Sequence, residues 1–273
     1  MFTSSKHLYA RAALALGFLT LFSGSGRTTA SSGEQAGHNT PKPAAQITPA
    51  AQELLNRTLQ ALGGSAFLSF KTLTTEGRAF SISDGVAAGF VEYDSIVGYP
   101  DKRRLSYGLG KSKTVTLINN GDRGWEIDRY GLIEQPEKRI SAWQVANRYS
   151  LEGLLRGRAH EPGVLVLPGG QDFVDNFPAS ILDIIDSQQV EVKLYVNPQT
   201  YLPLRAAYRV HNPESQDWDE YVDVYSDYHL INGIQTPMHL VRYVNDERVA
   251  ETFRMSAKYN QNYPPTVFQP SDQ

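Results

Sequence analysis

The residues able to do chemistry are scattered. Six histidines, His7, His38, His160, His211, His229 and His239, show no HExxH and no pair at helical ligand spacing, so the spacing that holds a metal ion is missing. Gly110-Lys111-Ser112 resembles the end of a phosphate loop. However, Leu105 stands where the earlier glycine is required and no helical pattern follows, so the segment reads as a hairpin turn. Gly24-Ser25-Gly26 falls in an N-terminal export segment, where a nucleophile elbow has no sheet to sit on. Asp172, Asp175, Asp183 and Asp186 flank predicted strands and turns, positions typical of solvated carboxylates, and no glycosidase-type pair stands out. With no cysteine in the chain, thiol catalysis, disulfides, zinc-cysteine sites and a lipid-modified N-terminal cysteine are all excluded. The sequence therefore predicts no enzyme, no metal and no cofactor.

Apolar residues in a strand-rich frame remain. The 273 residues are 41% hydrophobic, 11% aromatic and 20% charged, the balance of a folded globular chain. Lys6 and Arg11 precede the apolar run Ala12 to Phe22, and small residues follow through Ala30, the layout of a secretory signal. Residues 31–47, rich in Ser, Gly, Pro and Ala, read as a flexible tether, and residues 48–273 as one domain. Removing residues 1–30 takes away Lys6, Arg11 and Arg27 and no acid, moving the formal charge from -3 to -6. A mildly acidic exported chain is a poor nucleic-acid binder and has no electrostatic reason to sit on an anionic membrane. After signal cleavage no transmembrane segment is expected.

Thr48 reads as an N-cap with Pro49 at the first helical position. Ala51, Leu54, Leu55, Leu59 and Leu62 form one apolar face that stops at Gly63-Gly64. From Phe70 the period becomes two. Within 99–128, Arg104 and Ser106 oppose Leu105 and Tyr107, while Val115, Leu117 and Asn119 alternate with Thr116, Ile118 and Asn120. Asn120-Gly121-Asp122 turns the chain toward Trp125. Ser141 with Gln144 suggests a capping box for a helix holding Trp143 and Tyr149, and Ser150 restarts a second helix bearing Leu151, Leu154 and Leu155. Gly153 and Gly157 weaken that helix by up to ~1 kcal/mol each, which predicts a mobile element. Phe177 to Asp186 fits helix and strand alike, and is assigned as strand because Val190 to Val196 alternates cleanly after it. The sum is about ten antiparallel strands and two helical regions, an α+β fold whose sheet must curl, with the helices covering its concave side.

The stretch around Pro100, Arg104 and Leu105, then Gly121, Arg123 and Trp125, matches a strand pair of the periplasmic lipoprotein carriers LolA and LolB. YVNPQTYLPLR (195–205), YSDYHLINGIQTP (225–237) and NYPPTVFQP (262–270) are similar to that family's C-terminal strands and closing segment. From about Ala50 to Pro270 the chain resembles this superfamily. The resemblance implies an unclosed half-barrel around a hydrophobic cavity and a monomeric periplasmic carrier or sensor for acyl chains or a similar amphiphile. An acylated protein would be one form of ligand. Phe90, Leu105, Trp125, Trp143, Leu151, Leu154 and Leu155 are then the candidate cavity lining. Tyr99 replaces the arginine that in the family precedes the proline and latches the helical lid, so Tyr99 and Arg104 are the candidate lid contacts, with Arg103 as a further substitute. The alternative is a non-catalytic module on the same fold that binds another envelope protein, its cavity filled by its own side chains.

Overall fold

In the computed structural model, residues 44–109, 114–212 and 215–271 are described. The signal-like segment, most of the tether and the Gly110-Lys111-Ser112 turn lie outside them. Fourteen strands form one unclosed sheet in the order β1-β8-β9-β10-β11-β12-β13-β14-β2-β3-β4-β5-β6-β7. They are β1 Gln46–Ile47, β2 Thr72–Ser83, β3 Val86–Gly98, β4 Lys102–Gly108, β5 Val115–Asn120, β6 Arg123–Asp128, β7 Gly131–Glu134, β8 Leu165–Val174, β9 Phe177–Ile185, β10 Glu191–Val196, β11 Pro203–Asn212, β12 Asp217–Ile231, β13 Ile234–Val244 and β14 Glu247–Tyr259. Among the described residues four α-helices accompany them: α1 Pro49–Leu62, α2 Ser65–Ser69, α3 Glu137–Arg148 and α4 Leu151–Arg156.

Sequence periodicity undercounts the strands for identifiable reasons. β1 lies in the last residues of the expected tether and pairs with β8 in parallel, the one parallel pairing among the described strands. β7 is a short exposed edge strand. β8 carries Pro168, Gly169 and Gly170, residues that argue against a strand; a bulge between Pro168 and Gly170, with Gly170 at φ 88°, accommodates them. Of the ambiguous run 177–186, Phe177–Ile185 is strand, as its neighbour's alternation required, and Asp186 begins the turn.

α1 begins at Pro49 and ends where Gly63 adopts φ 128°. A Cβ at Gly63 would stand 2.4 Å from the Gly233 carbonyl oxygen, so glycine is demanded both by the backbone turn and by the close approach to β13. α3 starts four residues before the expected capping box. Pro136, whose missing N–H costs nothing at a helix start, occupies the cap position, and Ile140 N–H bonds its carbonyl. α4 begins as read: Ser150 Oγ accepts from the Gly153 amide at 3.0 Å.

The helices lie against one face. Ala51, Leu55, Leu59 and Leu62 of α1, with Leu151, Leu154 and Leu155 of α4, pack on Val166, Leu182, Ile184, Leu194, Val196, Ala206 and Leu73. A second apolar cluster, Ala79, Val91, Tyr93, Leu105, Tyr107, Val115 and Leu117, continues that concave face across β2 to β5. On the opposite face the C-terminal segment straps β2 to β5. Tyr263 OH meets Thr74 Oγ1 at 2.9 Å, and Phe268 sits where a Cβ at Gly98 would be 2.8 Å from its ring.

Candidate functional site: the concave cavity and its helical cover

Strand register decides which side chains can meet. Gly77 opposes Tyr93 and Arg254, Ala79 opposes Thr252, Leu240 opposes Tyr225 and Thr252, and Asp223 opposes Arg242, all on the helix-bearing face. A bulge between Arg254 and Ser256 keeps both Arg254 and Ala257 on that face. These residues surround a cavity of about 180 Å³ lined by Thr75, Tyr93, Ser95, Leu105, Asp223, Leu240, Arg242, Ala250, Thr252 and Arg254. It is amphipathic, whereas the sequence reading expected a hydrophobic one.

Its polar wall is ordered. Arg242 donates from Nε and Nη2 to the two Asp223 oxygens at 2.6 and 2.7 Å, a bidentate cross-strand pair. Burial weakens the Arg242 charge, but Asp223 more than compensates and raises its affinity for the proton. Arg254 donates from Nη1 to the Pro237 carbonyl at 2.9 Å. Tyr93 is 3% exposed, and burial raises its phenol above the ordinary value. One strand further on, Arg103 reaches Asn119 Oδ1 at 3.0 Å and lies under the Trp143 ring, 5.9 Å from its centroid. Burial, with the nearby Arg242 charge adding to it, lowers its proton affinity.

Two short helices cover part of this face and are held by polar latches. At the end of α3, Arg148 donates Nε and Nη2 to Asp186 Oδ2 at 3.1 and 2.8 Å, and Tyr149 OH donates to the same oxygen at 2.8 Å. Asp186 Oδ1 accepts from the Gln188 and Val190 amides at 2.8 and 3.0 Å, which ties the β9–β10 turn to the cover. Burial alone would raise the Asp186 carboxyl; these donors outweigh it and bring it below the ordinary carboxylate value. Asn147 bonds the Pro100 carbonyl at 2.8 Å, and Arg139 pairs with Glu126. From α4, Arg156 donates to the Phe70 carbonyl at 2.5 Å, its guanidinium 3.9 Å from the Phe70 ring centroid and 4.5 Å from that of Tyr99. Gly153 fits because it has no side chain: a Cβ there would stand 2.1 Å from the Asn147 carbonyl oxygen. The glycine read as loosening α4 is what lets it pack against the end of α3.

The candidate lining residues divide into three groups. Leu105 lines the cavity. Leu151, Leu154 and Leu155 are buried in the helix-covered core, and Trp143 is buried on α3 over Arg103. Trp125 and Phe90 do not face the cavity. Trp125 opposes Ile118, one residue out of phase with Leu117, so it points to the convex side with Arg123 stacked on it at 4.8 Å. Phe90 opposes Phe80 on that same side and is 43% exposed. Of the lid contacts, Tyr99 touches the cover through Arg156. Arg104 points to the convex side and reaches the Val267 carbonyl at 3.3 Å, so Arg103 is the arginine beneath the cover. At this contact the cation, Arg156, sits on the helix and the aromatic ring, Tyr99, on the sheet side. Sequence reading missed Arg242, Arg254 and Asp223, although all three fall in phase with apolar neighbours on strongly alternating strands. Asp186 is 1% exposed, not a solvated turn carboxylate.

An unclosed, curled sheet with helices on its concave face is the fold of the LolA-type proteins. A DUF1329-family protein from Desulfovibrio piger superposes with a TM-score of 0.57 at 13% identity, over 81% of this chain and 96% of that one. An outer-membrane lipoprotein-sorting protein domain from Vibrio parahaemolyticus gives 0.54 at 8% identity, over 80% and 97%. A LolA-superfamily protein from Nitrosomonas europaea gives 0.51 at 13%, over 81% and 97%. No family model matches the sequence, and no curated protein does. At these identities the likeness establishes the fold. No helix of the described residues is long and apolar enough to cross a membrane.

Proposed function

We propose that this protein is a non-catalytic exported carrier or sensor that takes the chain of an amphiphile onto its concave face beneath α4. The observation that carries this reading is the pairing of an amphipathic cavity with a two-helix cover whose latches to the sheet are largely polar. The shared fold with a lipoprotein-sorting domain supports the same class of cargo, a lipid or an acylated protein.

The cover supplies its own apolar filling. Leu151, Leu154 and Leu155 occupy the space a chain would take, so binding displaces them. Exposing three leucines costs about 5–9 kcal/mol, at about 1.5–3 kcal/mol each. A chain returns ~0.8 kcal/mol per buried methylene, so about 6–11 methylenes offset the opening. Cargo with a chain of medium length or longer meets that condition, and short alkyl ligands do not.

Titration of delipidated protein with a fluorescent long-chain fatty acid should saturate at one equivalent and quench Trp143. Native mass spectrometry of gently purified protein should show a co-purified amphiphile. Absence of saturable binding up to micromolar ligand would overturn the reading.

A further inference from the structure

The carrier reading leaves the polar half of the cavity unused. Apolar cargo alone would not call for three arginines on the concave wall, and a purely structural ion pair would account for one of them, since Asp223 closes on Arg242 bidentately. Arg254 differs. It donates to a backbone carbonyl and meets the Tyr93 hydroxyl, and no ion pair joins it to a carboxylate among the described residues. The carboxylate it senses most strongly through space is Glu152, on α4, the element that moves in the carrier reading. Arg103 on β4 adds a further cation, close enough to feel the charge of Arg242.

Two hydroxyls sharpen the picture. Tyr208 and Tyr225 are 2% and 4% exposed, and their hydroxyls have no hydrogen-bond partner. Both are electrostatic neighbours of Asp223 and Arg242 on the same face. Hydroxyl groups are rarely left unsatisfied when buried, and here they are donors set beside a surplus of positive charge. They stand beside the cavity rather than on its wall; its own lining donors are Arg254, Tyr93, Thr75, Ser95 and Thr252, and it meets the apolar cluster of β2 to β5 at Leu105.

We propose that this pocket binds an oxyanion, a phosphate or carboxylate, through Arg254 with the Tyr93 and Thr75 hydroxyls of its wall, and that Glu152 holds the corresponding negative charge while the cover is closed. In the carrier reading, on which this assignment of a head group rests, the oxyanion is the head of the amphiphile. Lifting α4 removes Glu152 from the field of Arg254 and the incoming head takes over that role. The cargo class is therefore an anionic amphiphile rather than a neutral or cationic one.

Calorimetric titration of the purified protein with dodecyl phosphate and with dodecyltrimethylammonium, both below their micellar concentrations, separates head from chain. Inorganic phosphate alone forms the third arm. Dodecyl phosphate should bind at least about tenfold more tightly than the cation, as one charge-assisted hydrogen bond requires. Arg254→Met should remove that preference, weakening dodecyl phosphate and, by relieving charge repulsion, tightening the cation. Glu152→Gln, at a partly exposed helical position, should tighten dodecyl phosphate severalfold. It provides a check in a variant that folds even if Arg254→Met does not. Equal binding of both detergents, unchanged by either substitution, would overturn the oxyanion site and leave the carrier reading standing. Inorganic phosphate binding as tightly as dodecyl phosphate would support the oxyanion site and overturn the carrier reading. Binding of none of the three would overturn both.

Discussion

Replacing Asp186 by Asn separates two roles of one carboxylate. Oδ1 serves the local turn, accepting from the Gln188 and Val190 amides, and Asn keeps that oxygen. Oδ2 receives the Arg148 guanidinium twice and the Tyr149 hydroxyl once, and Asn turns an NH2 toward those donors. Hydrogen bonds to a charged group contribute ~1.5–3 kcal/mol each, and opposing donors add a further penalty. Arg148 is partly solvated and lies 3.9 Å from Glu161, which recovers some of the loss. The net expectation is a destabilisation of about 2–4 kcal/mol, roughly 4–16 °C in Tm for a chain of this size. Urea unfolding followed by tryptophan fluorescence measures it, with Trp143 on α3 as a reporter. In a double-mutant cycle, Asp186→Asn and Arg148→Met should couple by about 1–3 kcal/mol. The pH dependence follows from the sign of the shift. The carboxyl is lower in the folded than in the unfolded chain, so its contribution is fully present above the unfolded value, about 3.9, and is lost as pH falls through the folded value below it. The difference between wild type and Asp186→Asn should therefore be constant from pH 5 to 8 and shrink below about pH 3.9. A variant within about 0.5 kcal/mol of wild type, or additive with Arg148→Met, would refute the latch.

Gly153→Ala should destabilise by about 1–3 kcal/mol despite Ala's better helix propensity, because its Cβ meets the Asn147 carbonyl; stabilisation in a thermal melt would show that α3 and α4 are not in tight contact. Arg156→Met retains an apolar stem over Phe70 and Tyr99 but loses the bond to the Phe70 carbonyl and the cation–π contact, worth together about 2–4 kcal/mol. Hydrogen exchange should speed up in α4 well before β12, and uniform acceleration across the chain would contradict a local role for Arg156.

How far the fold could be read in advance depended on the local signal of each element. Strands with one buried face, such as 102–108 and 191–196, advertise themselves by alternation, and their number requires the sheet to curl. The short edge strands β1 and β7 bury too little to leave a periodic trace, and β8 hides behind Pro168 and two glycines. The site was less legible. Apolar character marks a residue as inward-facing without saying which side of a curved sheet is inward: Trp125 and Phe90 lie on the convex side, whereas Leu105, in the same hairpin system, lies on the concave one. Arg242 and Arg254 give no sequence signal of their own because a charged residue on an alternating strand normally faces solvent. Only cross-strand register, set by sequence-distant partners such as Gly77 and Asp223, brings them to one cavity.

The claim that the concave face accepts a chain by displacing α4 is tested most directly by the affinity of delipidated protein for a series of alkyl phosphates of increasing length. No saturable binding is predicted for chains below about six methylenes, followed by a gain of about tenfold for each further pair. An affinity independent of chain length would contradict it.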